Sequence, residues 1–210
     1  MKREHILAVL FFSGLWGISE AVLGGVLYGN NVRYASVPLT IIAFVVLTFA
    51  RLYSPQKGTA TLIAGCAMLY KFLNEPFFAC HILGIVLLGF SYDLFFNVAK
   101  SKNQAISAAL ASYLGYALFA LMMTYLFRYE YWAQGGFSKV AGHIGVSGTM
   151  AAIGCAVFVP LAFRLGERFK GILSSWFRRR PQLHPAAMPL VVAGLWIFAT
   201  VRYLLYHQLI

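Results

Sequence analysis

Apolar runs, each about the length of a membrane crossing and divided by short polar breaks, occupy most of this chain. A hydrocarbon core about 30 Å thick takes roughly 20 residues of apolar helix. Read on that scale, the runs and their breakers predict seven transmembrane helices, at about 5–28, 34–53, 59–74, 77–99, 104–128, 140–166 and 186–208. The expected fold class is all-α: a polytopic transmembrane helix bundle forming one domain over residues 1–210. The third run is short and ends at Asn74-Glu75-Pro76, residues that suit the start of the next helix, so helices three and four are expected to form a tight hairpin. Residues 169–180 place apolar side chains at helical spacing beside Arg178, Arg179 and Arg180, and are expected to lie along the inner membrane surface, where anionic lipid attracts the cations.

Composition agrees with this reading. The 210 residues are 60% hydrophobic and 11% charged, with a mean hydropathy of +0.74, against about 25% charged residues in an ordinary soluble domain. No room is left for a separate soluble domain. The opening Met1-Lys2-Arg3-Glu4-His5 resembles the start of a signal peptide, but the apolar run continues to about Tyr28, contains Glu20 and has no convincing cleavage site, so it is read as an uncleaved first helix.

The net charge of +11 comes from 17 Lys and Arg residues that sit mainly between apolar runs, a topology signal and not a nucleic-acid-binding face. With the N-terminus cytoplasmic, the inner side receives Lys2, Arg3, Arg51, Lys57, Lys100, Lys102, Arg164, Arg168, Lys170, Arg178, Arg179 and Arg180, leaving Arg33, Lys71, Arg128, Lys139 and Arg202 outside or within spans. That asymmetry predicts a C-terminus outside and a bacterial plasma (inner) membrane. Cys66, Cys80 and Cys155 lie in apolar surroundings without CxxC spacing and read as buried free thiols, with no metal site implied.

Three groups of residues stand out chemically. In the first helix Ser13, Gly17, Ala21 and Gly25 recur at every fourth position, a groove of small side chains suited either to a helix of the same chain or to a docking subunit. Glu20 shares this helix with Trp16; an uncompensated charge near mid-bilayer costs at least about 2.5–3.5 kcal/mol, so Glu20 needs a partner such as Lys71 or Arg202, a proton, or water at an internal cavity. Lys71, Asn74, Glu75 and His81 converge on the outward hairpin of helices three and four, and Arg128, Glu130 and His143 on the outer ends of helices five and six. A small-molecule site uses such polar groups under apolar walls, here from Trp16, Tyr70, Phe77, Phe78 and Trp132, although Arg128, Glu130 and Trp132 also suit interfacial anchors. Asp93 is expected to pair with Arg51 or Lys100 at the inner interface. His81 and His143 fall at similar depth, which admits a bis-histidine haem or, more simply, interfacial hydrogen bonding.

The run Gly14-Leu15-Trp16-Gly17-Ile18-Ser19-Glu20-Ala21-Val22-Leu23-Gly24-Gly25, with Lys71-Phe72-Leu73-Asn74 leading into helix four, resembles a poorly characterised group of S components, the substrate-binding membrane subunits of energy-coupling-factor (ECF) transporters. The resemblance covers loosely the first 130 residues or so. It implies a six-helix core plus one, capture of a small solute near the outer face, and docking through Ser13, Gly17, Ala21 and Gly25 onto a membrane coupling subunit driven by separate ATPases. The family pattern at the stripe is alanine-rich, whereas here it is Ser/Gly/Ala/Gly, and no cargo-specific motif is matched.

No GxxxxGK[ST], HExxH, GxSxG or carboxylate-rich metal box is present, so the chain carries no catalytic motif and no motor of its own. The expected function is solute uptake in a membrane transport system, with Glu20, Lys71, Asn74, His81 and Trp16 as the substrate site. An accessory or anchor subunit of a membrane redox or biosynthetic complex, holding haem or quinone between His81 and His143, is the alternative. A membrane enzyme acting on lipid through Glu20 and Lys71 is a third.

Overall fold

The computed structural model describes residues 3–73, 79–98, 103–179 and 184–206, and every element in them is helical. They form α1 (Arg3–Gly29), α2 (Ser36–Tyr53), α3 (Thr59–Ala67), α4 (Ala79–Asp93), α5 (Gln104–Leu121), the short α6 (Glu130–Ala133) and α7 (Gly136–Gly142), α8 (Thr149–Arg179) and α9 (His184–Tyr206). A 3-10 segment, Met68–Leu73, extends α3; π-helical turns extend α4 (Leu94–Val98) and α5 (Met122–Leu126) and join α7 to α8 (His143–Gly148).

Five stretches are long and apolar enough to cross a membrane: His5–Gly29, Ser36–Tyr53, Cys80–Asn97, Gln104–Leu126 and Gly136–Lys170. Their outward faces carry Leu15, Phe90, Leu110, Ile153 and Val157, all exposed. Backbone groups in hydrocarbon must be satisfied within each segment, which helices do and open strands do not. The chain is thus a helical bundle with the make-up of a membrane protein.

The expected seven spans are reproduced in part. The run at 59–74 becomes α3 and its 3-10 extension, a shorter apolar helix Thr59–Phe72, and the seventh run contributes the shorter apolar stretch Leu190–Val201. The sixth has no break before 169. Helix continues through α7, the π turn and α8 to Arg179, and its apolar part, 35 residues from Gly136 to Lys170, is roughly 50 Å long at 1.5 Å per residue. The surface segment expected at 169–180 is therefore a continuation of this helix as far as Arg179; its side chains beyond Lys170 lie outside the described residues.

Packing follows where side chains are small. α8 lies against α2 and α5, α3 against α4, and α1 against α2, α3 and α9. Gly154 and Gly166 of α8 let the helix approach Ile41 and then Leu52 and Phe49 of α2, and the Lys170 ammonium donates to the Leu52 carbonyl at 3.1 Å, near the C-terminal end of α2. Phe44, Leu47, Ile63, Tyr92 and Val159 fill the central core. Thr48 ties α2 to α4 through the Tyr92 hydroxyl at 3.0 Å, and Thr40 ties α2 to α5 through Tyr116 at 3.2 Å.

The small-residue stripe of α1 is taken up within the chain. Ser13, Gly17 and Ala21 are buried, and the ring of Tyr70 lies so close to Gly17 that a Cβ there would overlap it. Tyr70 in turn packs on Trp196 of α9, ring centroids 4.1 Å apart. Of the two uses expected for the stripe, packing within the chain is the one seen: Ser13, Gly17 and Ala21 are buried, and Gly25 is half-buried above them.

Candidate functional site

A cavity of about 810 Å3 opens at the end of the bundle where α1 meets α2 and where α6 and α7 lie. Its walls come from α1, α2, α4, α5, α6 and the π turn before α8. Glu20 is the acidic residue lining it.

The Glu20 carboxylate is buried and held from behind. Its Oε2 meets the Lys71 ammonium at 3.0 Å, the same ammonium donates to the Glu20 carbonyl at 3.2 Å, and the Trp16 indole N–H donates to Oε1 at 3.4 Å. Both side chains of the ion pair are nearly inaccessible, 4% and 9% exposed, so the pair neutralises two charges that neither lipid nor core accepts singly. The 3-10 turn Met68–Leu73 makes this possible: Tyr70 enters the Gly17 notch and the next residue delivers its ammonium to Glu20, one helical turn along α1.

Rings form much of the remaining wall. His81 of α4 stacks on Tyr28 at 4.8 Å between centroids. His143, in the π turn, stacks on Tyr116 at 5.0 Å and meets Trp132 edge-on at 5.0 Å, while Phe119 meets Trp132 edge-on at 5.3 Å. Such π turns re-aim side chains and recur at functional sites. Asn31, Arg33, Tyr34, Tyr129 and Tyr131 lie at the mouth. The three described non-glycine residues with positive φ, Asn31 at 52°, Tyr34 at 61° and Arg128 at 47°, all fall in the loops at this end. Left-handed backbone is uncommon for a tyrosine or an arginine and marks a loop shaped against its local preference.

The structure therefore divides the expected site. Glu20 and His81 line the cavity. Lys71 and Trp16 are buried behind Glu20 and position it, and Asn74 lies outside the described residues, as do Phe77 and Phe78. Tyr70, expected as a wall, belongs to the α1 packing instead. Trp132, which suited either a cavity wall or an interfacial anchor, is buried in the wall, whereas Arg128 and Glu130 are exposed. Tyr28, Arg33, Tyr34 and Tyr116 were not singled out from sequence: Tyr28, Tyr34 and a single loop arginine have the pattern of ordinary interfacial residues, and Tyr116, in mid-span, that of a packing residue.

The opposite end of the bundle is closed by polar side chains. Asp93 accepts from the backbone N–H and the hydroxyl of Thr61, each at 2.7 Å, near the start of α3, and Asn97 donates to Asp93 while accepting from Arg51. His5 pairs with Ser54 beside this network. Asp93 thus meets Arg51 through Asn97, not directly as expected; Lys100 lies outside the described residues.

Among the described residues no group of three or more His, Cys, Asp or Glu side chains is placed to hold a metal ion. No protein-family model, curated protein or solved structure matches the chain.

Proposed function

We propose that this chain is the solute-capturing membrane component of a transport system, akin to the S components of ECF transporters, and that a separate energising partner drives uptake. The observation that carries this reading is the one-sided cavity: about 810 Å3 lined by aromatic and polar side chains at one end, with the other end filled by the Asp93, Asn97, Arg51 network. Pockets of 300–1,000 Å3 with a few placed polar groups among apolar walls are the usual form of small-molecule sites. In this proposal the chain sits in a bacterial inner membrane with seven membrane-inserted helices, the N-terminus is cytoplasmic, and the cavity faces outward to collect solute. The 169–180 region contacts the inner lipid surface.

The test is affinity purification of the tagged chain from its native membrane in mild detergent, with mass spectrometry of bound proteins and small molecules. Co-recovery of a coupling subunit with ATPases is the expected result. Recovery of redox or biosynthetic subunits without ATPases overturns the proposal in favour of an accessory subunit. One observation favours that second reading: His81 and His143 line the same cavity. A Soret band in the purified protein would mark haem there.

A further inference from the structure

We propose that the cargo of this cavity is an amphipathic organic anion: a flat ring system with an acidic group at one end and an N–H or O–H donor at the other. The inference rests on the solute-capture reading and adds the chemistry of what is captured.

Arg33 supplies the first observation. It lines the mouth, is exposed, and lies 5.0 Å above the ring of Tyr34; among the described residues it forms no ion pair or hydrogen bond. A guanidinium has five donors in a planar fork matched to carboxylate or phosphate, and here the fork is unspent at a cavity edge. The charges of the loops at this end sum to a small positive excess. Residues 29–35 and 127–143 carry Arg33, Arg128 and Lys139 against Glu130, and counting Glu75, from the sequence between Leu73 and Ala79, still leaves an excess of one positive charge. An organic cation entering here passes the Arg33 guanidinium at the mouth, and at Glu20 it competes with the Lys71 ammonium already at 3.0 Å.

Glu20 supplies the second. An ionised carboxylate offers about four lone-pair directions. Within the protein it accepts the close ammonium contact on Oε2 and the long indole contact, 3.4 Å, on Oε1. Acceptor capacity therefore faces the cavity, with its charge already balanced from behind, which suits a neutral N–H or O–H donor better than a second cation.

The body between these ends is set by the walls. The faces and edges of Tyr28, Tyr116, Phe119, Trp132, His81 and His143 favour a stacked ring over an aliphatic chain. Gly29, at the end of α1, stands nine residues beyond Glu20, a rise of roughly 13 Å. A molecule of one or two fused rings with a short acidic arm bridges much of that distance.

The experiment uses one ring carrying three charges. Binding of indole-3-propionate, tryptamine and 3-methylindole to the purified full-length protein in detergent micelles is measured calorimetrically at neutral pH and low salt, together with 1-methylindole-3-propionate, which lacks the ring N–H. Indole-3-propionate should bind about tenfold more tightly than each of the other three, the size of effect one charge-assisted hydrogen bond supports. Arg33→Gln, a change at an exposed loop position, should reduce it to the level of 3-methylindole. Tightest binding by tryptamine, equal binding of the three charge types, an anion preference that survives Arg33→Gln, or no binding by any probe overturns the anion assignment. Loss of preference on N-methylation is expected, and its absence overturns the donor at Glu20. The transport reading fails separately, when the native purification yields redox subunits while the anion preference stands.

Discussion

A buried ion pair divides its energy unevenly between being formed and being broken. Taking Glu20 and Lys71 from water costs several kcal/mol per ion, and their contact at 3.0 Å returns most of that only while both are present. Lys71→Met leaves a carboxylate stranded beside Trp16 and should lower stability by about 3–5 kcal/mol. The double variant Glu20→Gln, Lys71→Met should recover most of that loss. Thermal unfolding in detergent, followed by tryptophan fluorescence, measures both; a double variant no more stable than the single would show that the pair is not the source of the cost. Glu20 and its need for a partner were legible in the sequence because a charge in an apolar run is expensive wherever it falls. Which cation answered it was not, because the choice between Lys71 and Arg202 depends on the 3-10 turn that seats Tyr70 in the Gly17 notch. The rings of the cavity were hidden for a different reason. Tyr28 and Tyr34 have the spacing of membrane-interface tyrosines and Tyr116 that of an ordinary mid-span packing residue, and only the folded bundle gathers the three round one space.

Helix existence was readable from hydropathy, but helix length and continuity were not. Hydropathy averages over a window and cannot see a change of helical pitch, so the 3-10 extension of α3 and the three π turns left no sequence signal. For the same reason the polar residues after Leu165 looked like the end of a span, whereas Gly166 and Lys170 are where α8 continues past the end of α2. The spacing of glycines was informative about close approach but not about partners. Gly17 proved to receive Tyr70 from the same chain, and Gly154 receives Ile41. A Cβ at Gly154 would overlap the Ile41 side chain, so Gly154→Ala should destabilise the α2–α8 contact by about 1–3 kcal/mol. Pairing it with Ile41→Val should relieve part of that cost. Unfolding midpoints of the two variants in one detergent provide the comparison. At the closed end, Asp93→Ala removes the acceptor of the Thr61 N–H and hydroxyl at the start of α3. A loss of about 1–3 kcal/mol is expected, with faster amide exchange confined to the first turn of α3.

The whole molecule presents one open end and one filled end, and its native cysteines report on both. Cys80 lines the cavity, whereas Cys155 is fully buried in the core between α2, α5 and α8, and Cys66 packs against that core from α3. Thiolate reactivity requires access as well as ionisation, so position in the bundle should separate the three. In a chain carrying Cys66→Ala and Cys155→Ala, the remaining thiol faces the proposed solute space. A membrane-impermeant maleimide added to intact cells should modify Cys80 if the cavity faces outward, and modification should slow when a bound aromatic anion occupies the space. Labelling that appears only after the membrane is opened would place the cavity on the cytoplasmic side. The charge asymmetry read from the basic loops would then be inverted, and uptake from outside would lose its structural basis while the binding site itself stayed intact. The orientation and the cargo chemistry are thus separable questions, one decided by which side reaches a single thiol and the other by what protects it.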